Sequence, residues 1–279
     1  MGLVRVATCQ FPVSRNISRN SKRVRGQMEE ASQLGADVAH FPEAALSGYA
    51  GMDLGSWDGF DWGRLVDETR EIMSLARELG LWVVLGSTHR LSPGNLPHNC
   101  LYAISSEGKI VERYDKRFCT KGDLKFYSPG DHFSIFDVNG VRCGMLICYD
   151  VRFPEMYRAY KRLGVQLVFH SFYNARLSGP GILKVIMRPT LQARAASNYL
   201  WISASNSSAY SSWPSVFVQP DGVIAAQLRC DRPGVMVNTV DLSKQFYDAS
   251  GEHRQLAMSG ILHSGATVDD PRSRDRKSL

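Results

Sequence analysis

Short apolar runs alternate with helically spaced apolar positions from the start of the chain. Val4 to Cys9 is a mostly apolar run and predicts a buried strand. Val24, Met28, Ala31 and Leu34 then recur at helical spacing, and Gly35 closes that helix. Ala36 to Phe41 predicts a second strand leading into Pro42-Glu43. Leu65, Ile72, Leu75, Ala76 and Leu79 mark another amphipathic helix, stopped at Gly80, before a strand over Leu81 to Thr88. This order is an α/β rhythm.

The middle of the chain changes to hairpins. Asn99 to Ser105 and Lys109 to Tyr114 flank Glu107-Gly108. Phe133 to Val138 and Val141 to Cys148 flank Asn139-Gly140, a strong two-residue hairpin signal. A helix over Phe153 to Leu163 follows, then a strand Val165 to His170, a helix around Leu191 to Asn198 and a strand Leu200 to Ser205. A further hairpin centres on Asp221-Gly222, and Gly234 to Leu242 supplies one more strand. No internal repeat or linker interrupts the pattern, so residues 1–279 read as a single domain. From about Ser243 the periodicity is lost, and the polar end around Asp269 to Lys277 reads as mobile or docked on a partner.

Composition narrows the classes. The chain of 279 residues is 44% hydrophobic and 22% charged, which excludes a largely disordered protein. Its net charge of +6 is modest, and the densest basic stretch (Arg15, Arg19, Lys22, Arg23 and Arg25) has no aromatic partners, so a solvated helix face is favoured over a nucleic-acid surface. No apolar run reaches the roughly 18 residues of a membrane span. Six cysteines form no CxxC pair and no metal cluster with the histidines. Together with a start that enters a strand directly, without a signal-peptide pattern, this gives the expectation of a reduced, cytoplasmic protein.

Three segments carry candidate chemistry: Phe41-Pro42-Glu43 at the end of a strand, Tyr114-Asp115-Lys116-Arg117 at the end of another, and Leu146-Ile147-Cys148-Tyr149-Asp150-Val151-Arg152-Phe153-Pro154-Glu155 between a strand and a helix. Taken singly each has a plain reading, as a cap, a solvated end or a core cysteine. Together, in order and local context, they resemble the carbon–nitrogen hydrolase family that includes nitrilases, aliphatic amidases and carbamoyl-amine hydrolases. The resemblance runs from Val4 to about Leu242. It also takes in Gly48-Tyr49, Gly86-Ser87, Asn99 and Ser128-Pro129-Gly130-Asp131.

The resemblance implies a four-layer α-β-β-α sandwich of the nitrilase type, with Glu43, Lys116 and Cys148 as a catalytic set at strand ends. It also implies that one helical face pairs with its copy in a homodimer. Each role has a physical reason. A thiol is mostly protonated at neutral pH and needs a base, a part that suits Glu43. The helix N-terminus near Phe153 favours the thiolate, and Lys116 suits an oxyanion. The implied reaction cleaves a small amide or carbamoyl compound through a cysteine thioester and needs no cofactor or metal. The family often places a second glutamate eight positions before the Pro-Gly-Asp aspartate. Asp123 stands there instead, either as the second acid or as an ordinary loop residue.

Further candidates line the same region. Arg152 either pairs with Glu155 or clamps a substrate carboxylate. His170, Tyr173 and Asn174 form a candidate pocket wall, His170 reading equally as a buried, hydrogen-bonded histidine. Tyr49, Tyr149 and Trp201 are aromatic candidates, and large aromatics commonly fill cores. Nitrilases of this family tend to carry tryptophan directly after the cysteine, whereas Tyr149 stands here as in many amidases. Nitrile hydrolysis and a non-catalytic scaffold of the same fold are the competing readings.

Overall fold

The structure, a computed structural model, describes residues 2–176 and 181–278. The chain falls into two compact units, Met1–Asp248 and Ala249–Leu279. All strands and all candidate site residues lie in the first.

Among the described residues twelve strands form two six-stranded sheets. The first contains β1 (Leu3–Gln10), β2 (Val38–His40), β3 (Trp82–His89), β4 (His98–Ile104), β5 (Ile110–Asp115) and β12 (Gly234–Asp241), ordered β12-β1-β2-β3-β4-β5. The second contains β6 (Ile135–Val138), β7 (Val141–Ile147), β8 (Leu167–Phe172), β9 (Trp201–Asn206), β10 (Val216–Val218) and β11 (Ile224–Gln227), ordered β11-β10-β9-β8-β7-β6. In each sheet the three central strands β1, β2, β3 or β7, β8, β9 run parallel, and the outer pairs are antiparallel.

Helices α1 (Ile17–Gln33) and α2 (Trp62–Leu79) pack on each other against the first sheet. Helices α3 (Pro154–Arg162) and α4 (Ile182–Asn198) cover the second. The unbroken apolar runs follow from this layering, since a strand covered on both faces has no solvent side to make polar. Along β1, Val4 and Val6 join the core shared with the second sheet, while Ala7 and Cys9 join the core under α1 and α2. Strands β2 and β3 divide alike, Val38 and Val84 on one side and Ala39, Val83 and Leu85 on the other.

Helix ends follow the expected chemistry. The Asn16 side chain caps α1 by accepting from the Arg19 N–H, and Asp61 caps α2 by accepting from Arg64. Gly80 ends α2 in the left-handed region, φ 61°. Asn139 and Gly140 both have positive φ, 47° and 79°, as the tight turn between β6 and β7 requires. One helix departs from the sequence reading. α4 begins nine residues before Leu191, because Pro189 sits inside it and masks the helical signal of the first turns.

The second unit, described by itself, contains α5 (Gly251–Met258) and α6 (Pro271–Arg274). Leu262 and Val268 are largely exposed there. Among the described residues no helix is long and apolar enough to cross a membrane.

Candidate active site

The segments singled out by sequence converge at carboxyl ends of strands, the usual position of sites in open α/β sheets. Glu43 follows β2, Lys116 follows β5, Cys148 follows β7, and Tyr173 and Asn174 follow β8. Two glycines let the first two segments come close. At Gly86, in β3, a Cβ would lie 2.0 Å from the Pro42 carbonyl oxygen, and at Gly130 it would lie 2.4 Å from that of Asp115. Gly130 also donates its N–H to the Lys116 carbonyl at 2.8 Å. The Gly86-Ser87 and Pro129-Gly130 elements thus make room for the strand ends that carry the charges.

Glu43 is fully buried and every oxygen is engaged. Its Oε1 accepts from Lys116 Nζ at 2.8 Å and from Asn99 Nδ2 at 2.7 Å, and Oε2 accepts from the Tyr173 N–H at 2.8 Å. Lys116 Nζ also lies 2.9 Å from Asp123 Oδ2. These two ion pairs use two of the three ammonium donors. Burial works against the ammonium. The charges of Glu43 and Asp123, with Tyr49 and Cys148 beside them, nevertheless hold Lys116 well above its ordinary pKa.

Asp123 sits in a 3-10 turn, Asp123–Lys125, and is buried. Besides Lys116 it accepts from the Tyr49 hydroxyl and from the Thr120 N–H at 2.9 Å. Burial raises its carboxyl, but Lys116 and these donors prevail and leave it below its ordinary pKa. Tyr49 in turn stacks on Tyr173 with ring centroids 4.9 Å apart, so Asp123, Tyr49 and Tyr173 form one wall beside Lys116.

Cys148 opens a 3-10 turn, Cys148–Arg152, with a left-handed backbone, φ 41°. A non-glycine residue held there costs energy and persists only where its surroundings fix it. Asp150 supplies part of that fixing. Its buried carboxylate accepts from the Ile147 N–H at 2.9 Å, the Tyr114 hydroxyl at 2.8 Å and the Phe118 N–H at 3.0 Å. It thereby ties the nucleophile turn to both sides of Lys116. Burial outweighs these donors and pushes Asp150 up to about 6. The thiol itself receives Asn174 Nδ2 at 3.3 Å. Asn174 is held by Trp213, whose indole N–H donates to its Oδ1 at 3.0 Å, and by Asn206, which accepts its backbone N–H at 2.8 Å. Burial raises the Cys148 pKa, Glu43 and Asp123 add to the rise, and Lys116 opposes it.

The remaining candidates divide. Tyr149 is half-exposed, edge-on to Phe153 at 5.5 Å. Arg152 is exposed, and among the described residues no ion pair joins it to Glu155, which corrects the pairing expected from their spacing. Arg152 ends the 3-10 turn and Glu155 lies in the first turn of α3, so the two do not share a helical face. His170 is the fully buried, hydrogen-bonded histidine: Nδ1 is 2.6 Å from the Tyr157 hydroxyl, its ring stacks on Phe172 at 4.2 Å, and burial drives its pKa well down. Trp201 packs edge-on to Phe246 in the core. Two residues without an assigned role join the site, Asn99 on Glu43 and Trp213 on Asn174. A polar Asn99 inside an apolar run was the available signal for the first. No group of three or more metal-ligating side chains occurs among the described residues.

The sequence profile described as carbon–nitrogen hydrolase matches residues 5–245. The ω-amidase NIT2 of Bos taurus is 28% identical over 88% of this chain and 91% of its own length. The ω-amidase NIT2 of Homo sapiens is 26% identical over 86% and 89%. Among solved structures, a cysteine-to-alanine mutant of the Nesterenkonia AN1 amidase from the nitrilase superfamily superposes with a TM-score of 0.77 at 22% identity, covering 93% of this chain and 97% of that one. A second form of that amidase, with the acetamide moiety of fluoroacetamide added covalently at the active-site cysteine, gives a TM-score of 0.75 at 22% identity over 90% and 96%.

Proposed function

This chain belongs to the carbon–nitrogen hydrolase family, and from that premise we propose that it hydrolyses the C–N bond of a small, non-peptide amide through a thioester on Cys148. The observation that carries the reading is the buried Glu43–Lys116–Asp123 cluster joined to the cysteine's surroundings through Tyr173. Glu43 takes the thiol proton as Cys148 attacks the amide carbon. The third ammonium donor of Lys116 serves the oxyanion, with a backbone N–H after Cys148 as its partner, and Asp123 orients Lys116. The C–N bond then breaks, and the proton on Glu43 goes to the departing ammonia or amine. Water attacks the thioester, giving its proton to Glu43. The carboxylic acid leaves and the thiol re-forms. None of these steps calls on a metal or organic cofactor.

Relatives named ω-amidases support an amide over a nitrile, and Tyr149 stands after the cysteine where nitrilases of the family tend to carry tryptophan. Ammonia release measured across ω-amides, carbamoyl-amines and N-carbamoyl amino acids, with matched nitriles, is the test. Turnover is expected with ω-amides. Release from the nitriles alone would overturn the reading.

For assembly we propose a homodimer built on the α3 and α4 face. Ile182 and Val185, on α4, are 60% and 68% exposed, and a symmetric pair requires just one self-complementary patch. Light scattering at micromolar concentration should give at least twice the 31.1 kDa chain mass. A fully active monomer would exclude the assembly.

A further inference from the structure

Between the two sheets, in a core otherwise made of Val6, Val38, Phe169 and their neighbours, lies a run of fully buried polar side chains. Thr8 on β1 and His40 on β2 come from the first sheet, Ser171 on β8 and Ser203 on β9 from the second. Thr8 Oγ1 is 2.8 Å from Ser203 Oγ, and Ser203 Oγ is 2.8 Å from His40 Nδ1. His40 Nε2 is 2.9 Å from Ser171 Oγ, which donates to the Phe41 carbonyl at 2.8 Å.

The protons in this run have one consistent arrangement. Ser171 spends its hydrogen on Phe41, so it must accept from His40, which is therefore protonated on Nε2. Nδ1 is then an acceptor and takes the Ser203 hydrogen, and Ser203 accepts from Thr8. Burial drives the His40 pKa down to about 3, so the ring stays neutral and the run holds geometry rather than charge at neutral pH.

Its Ser171–Phe41 end meets the site. Phe41 lies two residues before Glu43. Ser171 pairs with Ile147, the residue before Cys148, and lies two residues before Tyr173, whose N–H holds Glu43. Glu43 and Cys148 come from different sheets that share no hydrogen-bonded ladder. Apolar faces alone specify the offset between two sheets weakly, whereas a directed polar contact permits one offset.

We propose that the Thr8–Ser203–His40–Ser171 strap is a positioning device that sets the carboxylate of Glu43 against Cys148. This rests on the reading of Glu43 as the base and Cys148 as the nucleophile, and it assigns positioning roles to His40 and Ser171.

The test compares Ser171→Ala with Ser205→Ala. Ser205 Oγ donates to the Cys9 carbonyl at 2.5 Å, an equally buried bond between the same two sheets that does not reach Phe41. Thermal stability should fall comparably in both. In Ser171→Ala alone, kcat on the preferred amide should drop about tenfold or more with KM within about twofold, the scale expected when a reacting group is misplaced by a fraction of an ångström. Alkylation of Cys148 by iodoacetamide, followed by mass spectrometry, should slow in step. Unchanged kcat in Ser171→Ala, or equal loss in both variants, would overturn the strap while leaving the thioester reading standing. Cys148→Ala run alongside separates the two. Hydrolysis surviving in it would overturn the thioester reading and the strap with it.

Discussion

Replacing Cys148 with alanine is expected to abolish amide turnover, by about 10⁴-fold or more, while the fold survives. In the proposed reaction the sulfur is the atom that forms the thioester. The neighbouring donors, Asn174 Nδ2 and the Tyr173 N–H, have no nucleophilic electron pair to offer. Serine should be nearly as inactive, because an alkoxide is far harder to generate than a thiolate in a site that already disfavours the sulfur anion. The left-handed backbone at position 148 is held by Asp150 through Ile147 and Phe118, and none of those bonds involves the thiol. Unchanged circular dichroism with no ammonia release is therefore the expected pair of results. Substantial release from purified Cys148→Ala would remove the nucleophile assignment.

Lys116→Ala carries the second large effect, on rate and stability together. Loss of an oxyanion donor costs about 10²–10³ in kcat. The same change strands Glu43 and Asp123, both buried, without their shared cation, and breaking a buried pair in this way typically costs about 3–5 kcal/mol. The pH dependence has a definite sign. In the native chain Asp123 sits below its ordinary pKa, so its contribution is present above about pH 4, the unfolded value, and is lost as pH falls through the folded value. Without Lys116 the buried Asp123 carboxyl loses its largest opposing influence and keeps only the Tyr49 and Thr120 donors, so its pKa is expected to rise and the variant to lose stability as pH rises. The gap in Tm between native and variant should accordingly narrow from pH 8 to pH 5. Asp123→Asn should reproduce part of the rate loss. A raised KM with unchanged kcat in Lys116→Ala would make it a binding residue instead.

Much of this architecture was legible in the chain. The apolar runs became strands because both faces of each sheet are covered, and Asn139-Gly140 turned where its two positive φ values demanded. Pro189 hid the start of α4, since a residue without an N–H lowers the helical signal even where packing against β9 and β10 sustains the helix. The grouping of Glu43, Lys116 and Cys148 was legible through three segments taken together. Its bonding was not: the contact of Asp123 with Lys116 and Tyr49 is made across loops, where spacing along the chain says nothing about distance. The strap left a trace in single polar letters, Thr8 and His40, inside otherwise apolar strands. Their partners Ser171 and Ser203 lie more than a hundred residues away, so the trace could not be completed from sequence.

The upward push on the Cys148 thiol bears on its oxidation between turnovers. Peroxides attack the thiolate and react only slowly with the thiol. A nucleophile that exists as an anion at rest is a standing target for sulfenic acid formation. Here burial and two neighbouring carboxylates push the thiol pKa up, against the pull of Lys116, and so favour the form that peroxides attack slowly. The same electrostatics that make the thiol a reluctant nucleophile therefore also disfavour sulfenic acid formation at rest.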